Sequence, residues 1–267
     1  GFIELLSEME KGMNIPDVML LNGQQMEVLK RSGLLARYVS PESATFPSRV
    51  QDPEGYATQV WMVPFSIAYN TEKVSPDELP LRYEDLCAPQ WRGKLLYPDP
   101  RASGAGFGWF AVMREQLGKE FFGQLAGQEL RCQPHPEEAL ARGDYPLLVA
   151  AMIGRIEKMK KAGSPVDWIP MSTICFLGPY AVFFRKARHP HLGKRLIDFL
   201  MSAAGQHIIS RYHIPNRPDV PMRETAFAGI MEKLQKAQLV TLKAGNPENY
   251  LERQAEAFRF LLGTDHR

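Results

Sequence analysis

The chain predicts an α/β fold in which parallel sheets are covered by helices on both faces. Three observations predict it. Short apolar runs alternate with amphipathic stretches along most of the sequence. Pro and Gly, 21 of each in 267 residues, punctuate those runs too often for a helical bundle. No apolar run approaches the roughly 20 residues that span a bilayer, so the apolar segments read as core.

The elements follow in order. Phe2, Leu5, Leu6 and Met9 share one helical face, and Gly12 and Asn14 end that helix. Residues 17–21 (Asp-Val-Met-Leu-Leu) read as a buried strand that turns at Asn22-Gly23, followed by a helix over residues 24–31. Residues 40–56, rich in Pro, Ser and Gly, read as loop, and residues 61–69 as strand. After a Pro-rich connector come a short helix at 83–86 and a strand at 94–97, ended by Pro98-Asp99-Pro100. A helix is expected after residues 103–106 (Ser-Gly-Ala-Gly), through Trp109, Phe110, Val112 and Met113. Helices at 137–142, 155–161 and 192–200 alternate with strands at 146–151 and 180–184, and the tail from Glu224 reads mostly helical.

Charge and composition exclude several functions. With 32 basic and 30 acidic residues scattered along the chain, no nucleic-acid footprint stands out. Cys87, Cys132 and Cys175 lack metal-ligand spacing and read as unpaired thiols or one incidental disulfide. His189 and His191 form an H-x-H, but with no third ligand in view a capping or surface role competes with a metal site. There is no G-x-S-x-G, H-E-x-x-H, P-loop or complete G-x-G-x-x-G, so neither an enzyme nor a cofactor is expected.

Five stretches occur in a familiar order. Residues 14–21 carry an "ADV"-like strand, and residues 64–71 read Pro-Phe-Ser-Ile-Ala-Tyr-Asn-Thr. Residues 83–94 read Tyr-Glu-Asp-Leu-Cys-Ala-Pro-Gln-Trp-Arg-Gly-Lys, followed by Asp99-Pro100 and Ser103-Gly104. His189-Pro190 precedes Ile-Asp-Phe-Leu-Met-Ser at 197–202 and Gly205-Gln206, and residues 215–220 read Pro-Asn-Arg-Pro-Asp-Val. This series resembles the extracellular solute-binding proteins of ABC importers, the type II periplasmic binding proteins that include ferric-ion, phosphonate and polyamine receptors.

The resemblance implies a first lobe over residues 1–65 and a second over 66–182. Residues 183–267 would return to the first lobe and supply the C-terminal helices. Each lobe is expected to hold a mainly parallel sheet, with two crossing strands and a ligand between the lobes. It also implies ABC permease partners and a periplasmic or extracellular location, although the opening residues do not read as a signal peptide. The family's first strand, helix and second strand would precede Gly1. Without them the strand at 17–21 has an uncovered edge, and self-association is expected. A sensor subunit of a signalling system, or an enzyme on the same fold, remains the alternative role.

Candidate ligand residues sit at strand ends. Asn22, Gly23 and Gln24 follow one, where open α/β sheets bind ligands, but they also read as a turn and helix cap. Arg101 and Ser103, Gly104, Ala105 and Gly106 precede a helix whose free amides and positive dipole end suit an anion. The rival there is an N-cap at Ser103 beside a solvated arginine. Ferric receptors of the family carry a tyrosine pair in a strand-to-helix turn that here reads Ala-Ala-Met-Ile-Gly-Arg at 150–155, so a phenolate iron site is not expected. Arg155 faces either the cleft or solvent. Trp61 and Tyr180, near the expected crossings, either stack on a ligand or pack in the core.

Overall fold

The computed structural model describes residues 2–102, 104–222, 227–241 and 250–263. The first helix, α1 (Phe2–Glu10), lays Phe2, Leu5, Leu6 and Met9 against the core. Strand β1 (Val18–Leu21) follows, then α2 (Gly23–Arg31) and the short β2 (Leu35–Ala36). After 3₁₀ turns come β3 (Ala57–Gln59) and the long β4 (Trp61–Asn70). The helix expected at residues 83–86 is a single 3₁₀ turn, Tyr83–Cys87, ended before Pro89 because a residue preceding Pro avoids the helical region.

The chain continues through β5 (Leu95–Pro98), α3 (Gly104–Ala126), β6 (Arg131–Gln133), α4 (Pro136–Arg142), β7 (Leu147–Met152) and α5 (Ile153–Lys161). Helix α3 is broken at Gly118, whose φ of 79° and ψ of 169° only glycine adopts readily. Next are β8 (Val166–Trp168), β9 (Thr173–Leu177), β10 (Tyr180–Phe184), α6 (Pro190–Met201), α7 (Ala203–Ile209) and β11 (Ile214–Pro215). The tail holds α8 (Ala228–Leu234), β12 (Gln238–Val240) and α9 (Tyr250–Leu262).

Contacts divide the chain into two units. One comprises Gly1–Met62, Gly178–Thr225 and Lys243–Tyr250, the other Val63–Leu177, Ala226–Leu242 and Leu251–Arg267. Residues 183–267, expected to return to the first lobe and supply the C-terminal helices, are divided between the two units. Strand β12 pairs in parallel with β9, Leu239 beside Ile174, because its short apolar run completes an open sheet edge in the second unit. That strand also interrupts a tail predicted to be mostly helical. The expected start of the tail, Glu224, lies outside the described residues.

Sheet direction also departs from expectation. In the first unit β1, β2 and β3 all pair antiparallel with β10, so no parallel pair occurs among the described residues. The strands β1 and β2 still run the same way, as the α2 crossover requires, but β10 fills the slot between them. The second sheet runs β12-β9-β4-β7-β5-β6. Its pairs β12–β9, β5–β6 and β5–β7 are parallel, while β4 is antiparallel to β7, β8 and β9. Each sheet therefore has one reversed strand, and it is the strand adjoining the passage between units. All five residues of β10 are buried, as a strand covered on both faces requires. Strand β1 is less buried than its sequence suggests: Leu20 is 41% exposed, and among the described residues β1 pairs along one edge only.

Candidate functional site

In the first unit the end of β1, the start of β10 and the end of β3 share one sheet edge, since Tyr180 is in register with both Leu21 and Gln59. The residues that follow β1 are thereby brought beside Tyr180. The contact is close: a Cβ added at Gly23 would meet the Tyr180 ring at 3.3 Å. Burial pushes the Tyr180 hydroxyl up to about 12. Asn22 accepts from the Gln25 amide at 2.8 Å, and the Gln25 side chain accepts in return from the Asn22 amide at 3.4 Å. This capping box commits the Asn22 side chain to α2. Gln24 is different: its Nε2 is buried with no partner among the described residues.

Trp61 does not join this group. It stacks on His213, ring centroids 4.7 Å apart and 10° from parallel, and burial lowers the His213 pKa. Near it the crossing segments are pinned by side-chain amides. Gln206 donates to the Val60 carbonyl at 2.9 Å, and Asn216 donates to the Gln59 carbonyl at 3.0 Å. A Cβ on Gly178 would fall 1.9 Å from the Trp61 carbonyl oxygen, so only glycine fits where the two segments touch.

In the second unit β6, β5 and β7 are parallel neighbours, so their C-terminal ends fall on one edge. Three connections leave that edge: residues 99–102 after β5, residues 134–135 between β6 and α4, and the direct step from β7 into α5. Arg101 lies in the first with its guanidinium closed on Asp99, Nε to Oδ1 at 3.0 Å and Nη2 to Oδ2 at 2.7 Å. The arginine's hydrogen bonds hold the nearly buried Asp99 carboxyl below its usual pKa. Arg101 is thus neither an unpaired charge nor merely solvated, although half its side chain remains exposed.

Gly104 and Ala105 open α3, whose first turn contains no acidic residue; Ser103 lies outside the described residues. A Cβ on Gly104 would meet nothing within 4 Å, whereas one on Gly106 would sit 2.3 Å from the Pro98 carbonyl oxygen. The small residues at this helix start therefore do two jobs: Gly106 allows close packing, and Gly104 leaves open space. Arg155 bonds Glu137 on α4 at 3.1 Å, an ion pair with a nearly buried carboxylate. Both readings made for Arg155, cleft or solvent, omitted that partner.

Sequence reasoning also missed Gln133, whose Nε2 is buried without a partner among the described residues while its carbonyl receives the Asp99 amide at 3.0 Å. Its place at the end of a parallel strand was the available signal. The turn at 150–155 has a feature of its own: Ala150 adopts φ 59°, where β7 bulges against β4. His189 caps no helix with its side chain; its amide and Nδ1 both meet Asp17, at 2.8 and 3.0 Å. The three cysteines are free thiols.

Residues 13–238 match the family described as bacterial extracellular solute-binding protein. No curated protein sequence matches the chain significantly. Among solved structures, the ferric binding protein from Campylobacter jejuni is similar with a TM-score of 0.78 at 16% identity, over 98% of this chain and 88% of that one. The substrate binding protein of the ABC transporter from Agrobacterium tumefaciens gives 0.77 at 16% identity, over 97% and 81%. The periplasmic binding protein AfuA from Actinobacillus pleuropneumoniae, with fructose-6-phosphate bound, gives 0.65 at 18% identity, over 98% and 85%. These likenesses show the fold, that of the type II periplasmic binding proteins.

Proposed function

We infer the role from one premise: this chain belongs to the bacterial extracellular solute-binding family. On that premise it is the solute-binding component of an ABC importer. It captures a small molecule in the periplasm or at the cell exterior and delivers it to permease subunits without chemical change. The family match over residues 13–238 carries this reading. A likeness to an ABC-transporter substrate binding protein supports it.

The ligand is anionic, a carboxylate, phosphonate or phosphate, held at the strand ends of the second unit by Arg101 and by the start of α3 at Gly104 and Ala105. An acid-free helix start with open space at Gly104 supports this, as does the half-exposed Arg101 guanidinium. A structure of similar fold holds a sugar phosphate. In the first unit Gly23, Gln24 and Tyr180 lie together at one sheet edge, and the buried Gln24 amide has no partner among the described residues. Asn22 supports them as a cap, while Trp61 and Arg155 serve packing and α4 respectively.

Native mass spectrometry of the purified protein tests this reading. An anionic small molecule is expected to co-purify, and fructose 6-phosphate or inorganic phosphate to raise the melting temperature. A cationic co-purified ligand would overturn the anion assignment alone, whereas turnover of a metabolite to a new product would overturn the transport role.

A further inference from the structure

Helix α6 carries large apolar side chains beyond those that its packing buries. Gly193, Ile197 and Met201 are buried, Gly193 against Phe183 of β10. On an ideal helix of about 100° per residue, Leu192, Leu196 and Phe199 fall together on a different face. That face lies in solvent: the three side chains are 63%, 47% and 48% exposed. The whole apolar arc covers roughly 200°, against about 100° for an ordinary surface helix. Helix α7, packed on α6, continues the pattern with exposed Ile208 and, one turn on, Tyr212.

Cations are concentrated in this stretch of the chain. Residues 185–213 contain Arg185, Lys186, Arg188, Lys194, Arg195 and Arg211 against a single acid, Asp198. With these removed from 32 basic and 30 acidic residues, the rest of the chain has a net charge of −3. Asp198 accepts the Tyr38 hydroxyl at 2.8 Å, and Lys194 lies over the Tyr38 ring. Arg185, Lys186, Arg188, Arg195 and Arg211 form no ion pair among the described residues. His191 and Arg195 flank the exposed stripe on the side away from the core.

We propose that the α6 face is a docking surface for an anionic lipid bilayer, the apolar stripe entering the interface and the flanking cations meeting lipid phosphates. An exposed helix with a leucine and phenylalanine stripe beside arginines that pair with no acid among the described residues has the chemistry of an interfacial helix. A second copy of this chain is a poor occupant, because a two-fold contact would set the cationic face against itself. The surface is independent of the ligand assignment and would hold the protein beside the membrane that carries a permease.

Flotation of the full chain with lipid vesicles tests this. In about 50 mM salt it is expected to float with vesicles of equal phosphatidylglycerol and phosphatidylcholine, not with phosphatidylcholine alone, and to be released near 0.5 M salt as screening shortens. Arg188→Glu with Arg195→Glu should lower partitioning more than tenfold. Leu196→Ser with Phe199→Ser should do so without a fall in melting temperature, since neither side chain is in the core. Equal partitioning to both lipids, or variants that float like the parent, would overturn the proposal. So would binding confined to vesicles that carry membrane proteins, which would assign the face to a protein partner.

Discussion

Two helices, α2 and α3, begin where a strand ends, one in each unit, and their starts are built differently. At α2, Asn22 and Gln25 exchange hydrogen bonds, and the Tyr180 ring lies against Gly23. The protein itself satisfies that start. At α3 the first described residues are glycine and alanine, with no acid in the first turn. The helix dipole is therefore met by no acid in that turn, and the nearby Arg101 is already paired with Asp99. Backbone geometry alone does not distinguish a structural helix start from a receptive one. The side chains within the first turn do.

The largest expected effect comes from closing the tight approach at α3. Gly106→Ala places a methyl 2.3 Å from the Pro98 carbonyl oxygen, which is backbone and cannot step aside. A loss of roughly 1–3 kcal/mol follows, in the range of core overpacking. Urea unfolding would show it as a lower midpoint at unchanged slope. An unchanged midpoint would mean that α3 is not held against β5 as described.

Next is the buried phenol at α2. Tyr180 titrates at about 12 when folded and near 10 when unfolded, so the unfolded chain loses its proton first as pH rises. The unfolded state then binds fewer protons, and stability falls between pH 10 and 12, by at most about 3 kcal/mol for this group. Tyr180→Phe should flatten that decline in chemical unfolding measured across the window. Parallel declines in parent and variant would show that Tyr180 is more exposed than its 4% suggests.

Third, Gly104→Asp puts a carboxylate into open space at the start of α3. The helix dipole favours it by a few tenths to about 1 kcal/mol, so the melting temperature should hold or rise. Affinity for a phosphate-bearing ligand should fall about tenfold or more, because the new carboxylate occupies the anion's place. Asn22→Ala is the reciprocal change: it should cost about 1 kcal/mol of stability with little change in affinity. If isothermal titration showed the two variants affecting binding equally, the distinction between the two starts would fail.

Much of this was legible in the sequence because it is local. The amphipathic face of α1, the strand run of β10 and the Asn22 cap depend on residues within a turn of one another. The reversed direction of β10 and β4 was hidden, since a buried strand reads the same in either direction. Strand β12 was hidden too: three residues between helical patterns carry no periodicity, and only an open edge at β9 makes them a strand. At the site, the helix starts were visible, but the partners of Arg101 and Arg155 were not. Asp99 is two residues from Arg101 and Glu137 is eighteen from Arg155, yet sequence gives no rule that joins either pair.

The smallest expected effect sharpens the comparison most, because it asks whether Arg101 serves the fold or the ligand. Asp99 now takes two hydrogen bonds from the guanidinium and one from the Arg101 amide at 2.9 Å. Asp99→Asn keeps an acceptor for that amide and removes the charge that occupies Arg101. If the guanidinium then turns to the ligand, affinity for a sugar phosphate should rise about three- to fivefold at low salt, the scale of an exposed ion pair. Arg101→Ala should lower affinity by more than the lost contact, since it strands a nearly buried carboxylate beside the anion. The double variant separates the two causes. Should Asp99→Asn raise affinity by the same factor with Arg101 present or replaced by alanine, the gain is simple relief of repulsion and Arg101 does not touch the ligand. Should the gain vanish when Arg101 is absent, the arginine is the contact, and α3 begins at a charged anion site that Asp99 holds in check.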